Sequence, residues 1–220
     1  NGQKLAAVSA VCYVYGTLYM FLKNNEKKLV LCDCDINGGE PVFLDIGNHQ
    51  PVALFGGNYH SAAIGSEGEV IFINRNSIKN SPNSPIEAGF LPEDEKASSL
   101  ACCDYSFIVL SSKGRVFKSP IESNGVLNFS PVSELSGHEI ICVSGTRNYF
   151  LAVSKEGRVF GCGSNEFGKL GLGNETKLVS FFTEISSFGG LEIRAAYAGF
   201  SHSLFETREG KILSCGYNIN

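Results

Sequence analysis

Three observations predict an all-β fold of stacked four-stranded units for this 220-residue sequence. A hairpin pattern recurs five times along the chain. Its strands are apolar on both faces. And 25 glycines stand against 7 prolines, a supply of turn residues suited to many short strands. Helical periodicity persists nowhere for more than two turns.

The units follow in order when the copies are aligned on the glycine that closes each hairpin. In the first, a strand over 9–14 precedes YMFLKNNEKKLVL at 19–31, with Lys27 in the glycine slot, and 42–45 follows as a weak fourth strand. The second joins Pro51–Phe55 to HSAAIGSEGEVIF at 60–72, turning at Gly68. The third has Ser98–Cys103, then SFIVLSSKGRVF at 106–117 with Gly114, then 127–132. The fourth has Glu139–Val143, YFLAVSKEGRVF at 149–160 with Gly157, and 179–185. The fifth has Glu192–Tyr197 and HSLFETREGKIL at 202–213 with Gly210. The turns are 41, 46, 43 and 53 residues apart, which is the period of a propeller blade, roughly 40–50 residues. Glycine is expected where a two-residue hairpin turn needs positive φ. Runs such as Ile108-Val109-Leu110 and Leu151-Ala152-Val153 do not alternate as a sheet with one wet face would; they suit blades covered on both sides by neighbours. The chain is thus expected to be a single propeller, or part of one, over residues 1–220. It opens with Asn1 rather than Met, the expected start of a segment cut or processed from a longer protein.

Charge and cysteine usage narrow the partners. The net charge is −4 and no basic run exceeds Lys27-Lys28, so direct nucleic-acid binding is not expected. Apolar runs stay under ten residues, so no membrane-spanning helix is expected, and there is no signal-peptide pattern. The eight cysteines (12, 32, 34, 102, 103, 142, 162, 215) form no C-x-x-C pair, and the four histidines do not complete a zinc set. They read as reduced, buried thiols and imply an intracellular compartment, cytoplasmic or nuclear. No metal and no cofactor is expected.

The chemical motifs resolve into structure. Gly163–Lys169 has the look of a phosphate loop, but Leu170 stands where Ser or Thr must follow the lysine. A tight inter-strand loop with Leu170 and Leu172 beneath it is the better reading. His60 and His202 share one repeat slot, held elsewhere by Ser106 and Tyr149, and are expected to brace the turn through a backbone hydrogen bond. Ser136-Gly137-His138-Glu139 sets a hydroxyl beside a base, but neighbours on a loop seldom take triad geometry. No catalytic residue is expected. Ser81-Pro82, Ser84-Pro85, Ser119-Pro120 and Ser130-Pro131 read as loop formers, with phosphorylation the alternative.

Two stretches go beyond a generic blade. They are GRVFGCGSNEFGKLGLG at 157–173 and GKILSCGYN at 210–218, set after G-x-x-H turns typified by Gly57–His60 and Gly199–His202. Together they resemble the regulator of chromosome condensation repeat family, most clearly over residues 143–218. One copy, 143–173, departs from the pattern by placing Tyr149 in the histidine slot and Thr146 at the glycine. The resemblance implies a propeller, similar to a seven-bladed ring, whose loops bind protein partners. It implies an interaction scaffold and, as the alternative, a guanine-nucleotide exchange factor for a Ran-like small GTPase. The exchange factor of that family inserts a β-wedge, and no matching wedge is found here. Partner-binding candidates are the turns entering each hairpin: Asn58-Tyr59, Asp104-Tyr105, Arg147-Asn148 and Phe200-Ser201. Equivalent positions should ring one face, where Tyr, Phe and Arg match interface chemistry. The competing expectation is that these aromatics fold inward and seal the centre.

Overall fold

The computed structural model describes residues 7–14, 17–23, 29–33, 42–44, 46, 48–56, 60–74, 88–121, 126–173 and 176–217. Among them are five antiparallel sheets, each a meander formed by one stretch of chain. The first holds β1 (Ala7–Val14), β2 (Thr17–Lys23), β3 (Leu29–Asp33) and β4 (Val42–Leu44). The second holds β5 (Pro51–Gly56), β6 (His60–Gly65), β7 (Val70–Asn74) and β8 (Ala88–Gly89). The third is β9 (Ala97–Cys102), β10 (Ser106–Ser111), β11 (Val116–Pro120) and β12 (Ser130–Pro131). The fourth is β13 (Ile140–Thr146), β14 (Tyr149–Ser154), β15 (Val159–Ser164) and β16 (Leu178–Glu184). The fifth has β17 (Ile193–Ala198), β18 (His202–Thr207) and β19 (Ile212–Gly216). Helical structure among the described residues is confined to single 3-10 turns at Ser133–Leu135 and Glu166–Gly168.

The first strands touch in chain order, β1 to β5, β5 to β9, β9 to β13 and β13 to β17, so the sheets stack face to face as blades. This explains the lack of alternation. On β10, Phe107 and Val109 face the second sheet and pack with Ala62, Ile64 and Phe72. The residues between them, Ile108 and Leu110, face the fourth and meet Val143, Phe150 and Ala152. On β14 the roles continue: Phe150 and Ala152 look back, while Tyr149, Leu151 and Val153 look forward to Ile193, Ala196 and Phe205. Each fully buried Leu, Val or Phe contributes about 1.5–3 kcal/mol. On the fifth sheet only the backward face is covered among the described residues. Phe205 is buried, but Leu204 and Ile212 are 36% and 57% exposed, where their counterparts Leu151 and Val159 are sealed.

The hairpin turns differ from expectation in one respect. They are three-residue loops, not two-residue turns. Gly65, Ser111, Ser154 and Thr207 each accept at C=O from the glycine three residues on, at 2.9–3.1 Å, and donate N–H to the carbonyl after it. This is a type I turn closed by a left-handed residue, and Gly68, Gly114, Gly157 and Gly210 take φ of 77–86° there. The side chains of Ser111, Ser154 and Thr207 reinforce three of the turns by accepting the N–H of Arg115, Arg158 and Lys211. The Gly68, Gly114 and Gly157 carbonyls then accept the N–H of Ala97, Ile140 and Ile193, each in the next blade. Turn and blade junction are therefore one device. The Lys27 turn lies outside the described residues.

Two further features were not anticipated. Every first strand carries a bulge near its start, at Ser9, Val52, Ser98, Ile141 and Arg194, where two residues oppose one on the second strand. A bulge sharpens local twist and turns Val52 and Ile141 outward, 60% and 45% exposed. And the polar stretch after β7 supplies a short fourth strand, Ala88 and Gly89 pairing with Ile71 and Val70.

Candidate functional site

The turns between first and second strands of the third, fourth and fifth sheets come together on one edge. The third is closed by the Cys103 N–H donating to the Ser106 carbonyl at 2.8 Å, and the fifth by the Gly199 N–H donating to His202 at 2.8 Å. The fourth is tighter: Thr146 and Tyr149 pair directly, leaving Arg147-Asn148 as the loop. Arg147 takes φ of +49°, left-handed for a non-glycine residue, which costs about 1–2 kcal/mol. Two contacts join the three loops laterally. The Asp104 N–H donates to the Arg147 carbonyl at 2.7 Å. The Arg147 guanidinium lies 4.5 Å from the centre of the Phe200 ring. Tyr105 and Phe200 are 83% and 57% exposed, so these two aromatics do not seal the centre. Asn58 and Tyr59 lie outside the described residues.

Glycines of the third strands support these loops from below. A Cβ on Gly163 would stand 2.3 Å from the Asn148 carbonyl oxygen, and one on Gly216 2.5 Å from that of Ser201. Those carbonyls accept the N–H of Ser164 and Tyr217 at 2.9 and 2.8 Å. Deeper, the fully buried Tyr149 reaches across the junction. Its hydroxyl lies 2.7 Å from the His202 carbonyl, 2.9 Å from that of Gly199 and 2.9 Å from Ser203 Oγ. One O–H proton serves both carbonyls; Ser203 Oγ donates to the Lys169 carbonyl at 2.6 Å. Burial pushes the Tyr149 phenol up to about 12. Lys169 is buried beside it, its ammonium donating to Asn148 Oδ1 at 2.9 Å and lying 4.9 Å from the Tyr149 ring centre. Burial lowers the pKa of Lys169; Glu166 opposes that and Arg147 adds to it. Above, Phe167, also left-handed at φ +62°, holds its ring 4.6 Å from that of Tyr217.

The remaining motifs fall into structural roles. Asn165, buried, donates from Nδ2 to the Thr176 carbonyl and accepts the Leu170 N–H at Oδ1, so the Gly163–Lys169 stretch is a braced loop over a sealed Leu170. The bracing hydrogen bond expected of the His slot is made by Tyr149, whereas the His202 ring fills the space beside Gly199, 2.7 Å from where its Cβ would be. His60 tilts against Phe72 at 5.5 Å, and burial lowers its pKa against the opposing charge of Asp104. His138 packs on Phe160 at 4.8 Å, while Ser136 Oγ donates to the Ser133 carbonyl at 2.6 Å, which is no triad. Among the described residues no three His, Cys, Asp or Glu converge to hold a metal. No helix there is long and apolar enough to cross a membrane. Cys103, Cys142, Cys162 and Cys215 are thiols, buried or half-buried. A groove of about 620 Å³ was not foreseen; it runs between the Gly171–Gly173 loop and the fifth sheet, over Phe188, Leu191, Phe205 and Cys215.

Meander sheets stacked by their first strands, with inter-strand loops gathered at one edge, define a β-propeller of repeated blades. Residues 156–205 match the regulator of chromosome condensation (RCC1) repeat, within the stretch where the sequence resemblance is clearest. The structure is similar to human WBSCR16 (TM-score 0.78, 18% identity, 98% of this chain and 63% of that one). It is similar also to Prp20p of Saccharomyces cerevisiae (TM-score 0.73, 12% identity, 95% and 58%). In sequence, 76 residues are 37% identical to the secretion-regulating guanine nucleotide exchange factor of Bos taurus, over 34% of this chain and 16% of that protein. The fold is thus an all-β propeller of regulator-of-chromosome-condensation type, with five units among the described residues. The chain spans less than two thirds of each of these relatives.

Proposed function

We propose that this propeller is an intracellular protein-interaction scaffold whose binding face is the linked row of loops Asp104-Tyr105, Arg147-Asn148 and Phe200-Ser201, with Asn58-Tyr59 at the equivalent place in the second unit. The observation that carries the reading is the lateral joining of three loops while their large side chains stay in solvent. A rigid backbone row presenting Tyr, Arg and Phe is the composition of an interface hot spot. In this reading the chain makes and breaks no bonds of its own.

Guanine-nucleotide exchange on a Ran-like GTPase is the second reading. It draws on the bovine relative, named as an exchange factor, and on Prp20p, whose structure was solved together with its binding properties to Gsp1p and histones. Release of a labelled nucleotide from such a GTPase separates the two. Acceleration well above the intrinsic rate supports exchange. The scaffold reading expects none, and expects Tyr105→Ala and Arg147→Ala to weaken a captured partner with the melting temperature nearly unchanged. Destabilisation by both changes, with no partner selectively lost, overturns it.

A further inference from the structure

Five arginines lie among the described residues, and four of them are held by carboxylates of the chain itself. Arg115 is paired with Glu93 and Glu95, Arg158 with Glu184, Arg194 with Glu206, and Arg208 with Glu192. Arg147 has no carboxylate at ion-pair distance among the described residues, yet its place on the loop is set by other contacts. Its backbone is left-handed and its carbonyl is tied to Asp104. Its guanidinium is stacked on Phe200 at 4.5 Å. Stacking uses the face of the guanidinium and leaves the N–H edge for a planar acceptor. The Phe200 contact reduces the rotamer entropy that this arginine has still to lose on binding.

The surroundings add to this. Lys169, a second cation, lies beneath the same loop, held by the neutral Asn148 amide rather than by an acid. Arg147 is close enough for its charge to add to the burial that lowers the pKa of Lys169; Glu166 opposes both. Around them stand exposed apolar surfaces: Phe200, the Phe167–Tyr217 pair and Tyr105.

Resting on the binding face assigned above, we propose that Arg147 is the anchor for an acidic peptide segment of the partner protein. An Asp or Glu carboxylate takes the N–H edge of Arg147, and apolar neighbours of that residue lie against Phe200 and the Phe167–Tyr217 pair. Lys169 supplies positive potential from below. Bidentate arginine–carboxylate geometry then fixes the register of the bound segment.

The test is an array of twelve-residue peptides carrying one Asp or Glu between large apolar residues, each beside its Asn or Gln, Lys and phosphoserine counterparts, probed with the purified chain. Selected peptides are then measured by fluorescence anisotropy. Acidic members are expected to bind preferentially. Arg147→Ala should weaken them tenfold or more, Arg147→Lys less, and Arg147→Glu should move the preference to lysine-bearing peptides. An unchanged melting temperature for each variant shows that the fold is kept. Equal binding of acidic and amide members overturns the inference, as does undiminished binding to Arg147→Ala. Phosphoserine versions outranking the Glu versions overturn the carboxylate assignment. A partner that depends on Tyr105 but not on Arg147 leaves the binding face standing and removes only its acidic anchor.

Discussion

Replacing each turn glycine by alanine measures how strongly one blade holds the next. Gly157 and Gly210 occupy the same turn position, with φ of 83° and 82°, so alanine pays the same left-handed cost at both, about 1–2 kcal/mol. Their surroundings differ. A Cβ on Gly157 would stand 2.9 Å from Glu192 Cα and 3.1 Å from the Ile193 nitrogen, both in the next blade, whereas one on Gly210 meets nothing within 4 Å. Backbone cannot yield as a flexible side chain can, so overpacking at Gly157 adds about 1–3 kcal/mol. Strain on the hydrogen bond from the Ile193 N–H to the Gly157 carbonyl, 3.1 Å long, adds about 1 kcal/mol. Gly157→Ala should therefore cost about 3–6 kcal/mol and Gly210→Ala about 1–2. The left-handed cost cancels between them, and for a chain of this size the remaining difference separates their melting temperatures by about 4–16 °C. Gly114→Ala should fall between, because its closest contact is the Glu139 side chain, at 2.8 Å, with Ile140 backbone at 3.3 Å. Thermal unfolding followed by circular dichroism and a urea titration read the order directly. Equal losses at Gly157 and Gly210 would refute the role of the turn as a blade junction.

Two further outcomes follow from the buried groups. Tyr149→Phe keeps the ring but leaves the His202 and Gly199 carbonyls without their shared donor, so it should destabilise by about 1–3 kcal/mol; urea denaturation showing no loss would remove Tyr149 as the bridge between the fourth and fifth blades. Burial pushes the Cys215 thiol up to about 11, the Cys162 thiol up to about 12, and Cys103 further in the same direction. Because only the thiolate reacts, alkylation of Cys215 at pH 8 should be at least about 100-fold slower than for an unperturbed thiol, and site-resolved mass spectrometry finding any of the three labelled at the rate of a free peptide would contradict their burial.

The blades were legible because each needs the same local chemistry. Glycine at positions 68, 114, 157 and 210 marks a turn only glycine fits without strain, and double-faced apolar runs such as Ile108–Leu110 record two neighbours rather than one. What the sequence hid has no side-chain signature. The bulges at Ser98, Ile141 and Arg194 share a position but no residue type, since a bulge is set by ladder mismatch and not by the residue that sits in it. The fourth strand at Ala88–Gly89 is two residues long and escapes any periodicity. The three-residue form of the hairpin was missed because positive φ is required by both turn types, and only the hydrogen-bond ladder tells them apart.

The proposed binding face shows the same division. That the entering turns share one edge follows from the repeat alone, and Asp104, Arg147 and Phe200 are joined there. Which side chains would be free was not legible. Arg147 differs from Arg115, Arg158, Arg194 and Arg208 only in what folding brings beside it, and Lys169 entered the sequence reading through a phosphate-loop likeness unrelated to its place. The physical reason is that a repeat fixes the backbone position of each loop while leaving its side chains unconstrained. Blade contacts demand Tyr149 to be buried and Gly163 to be small; the two-residue loop takes a left-handed residue at 147, but nothing in the stack demands that it be an arginine. Arg147 joins a left-handed backbone to a charge that meets no carboxylate among the described residues, whereas Tyr105 brings no charge to this edge, and this is why the proposed anchor falls on Arg147 rather than on the exposed Tyr105.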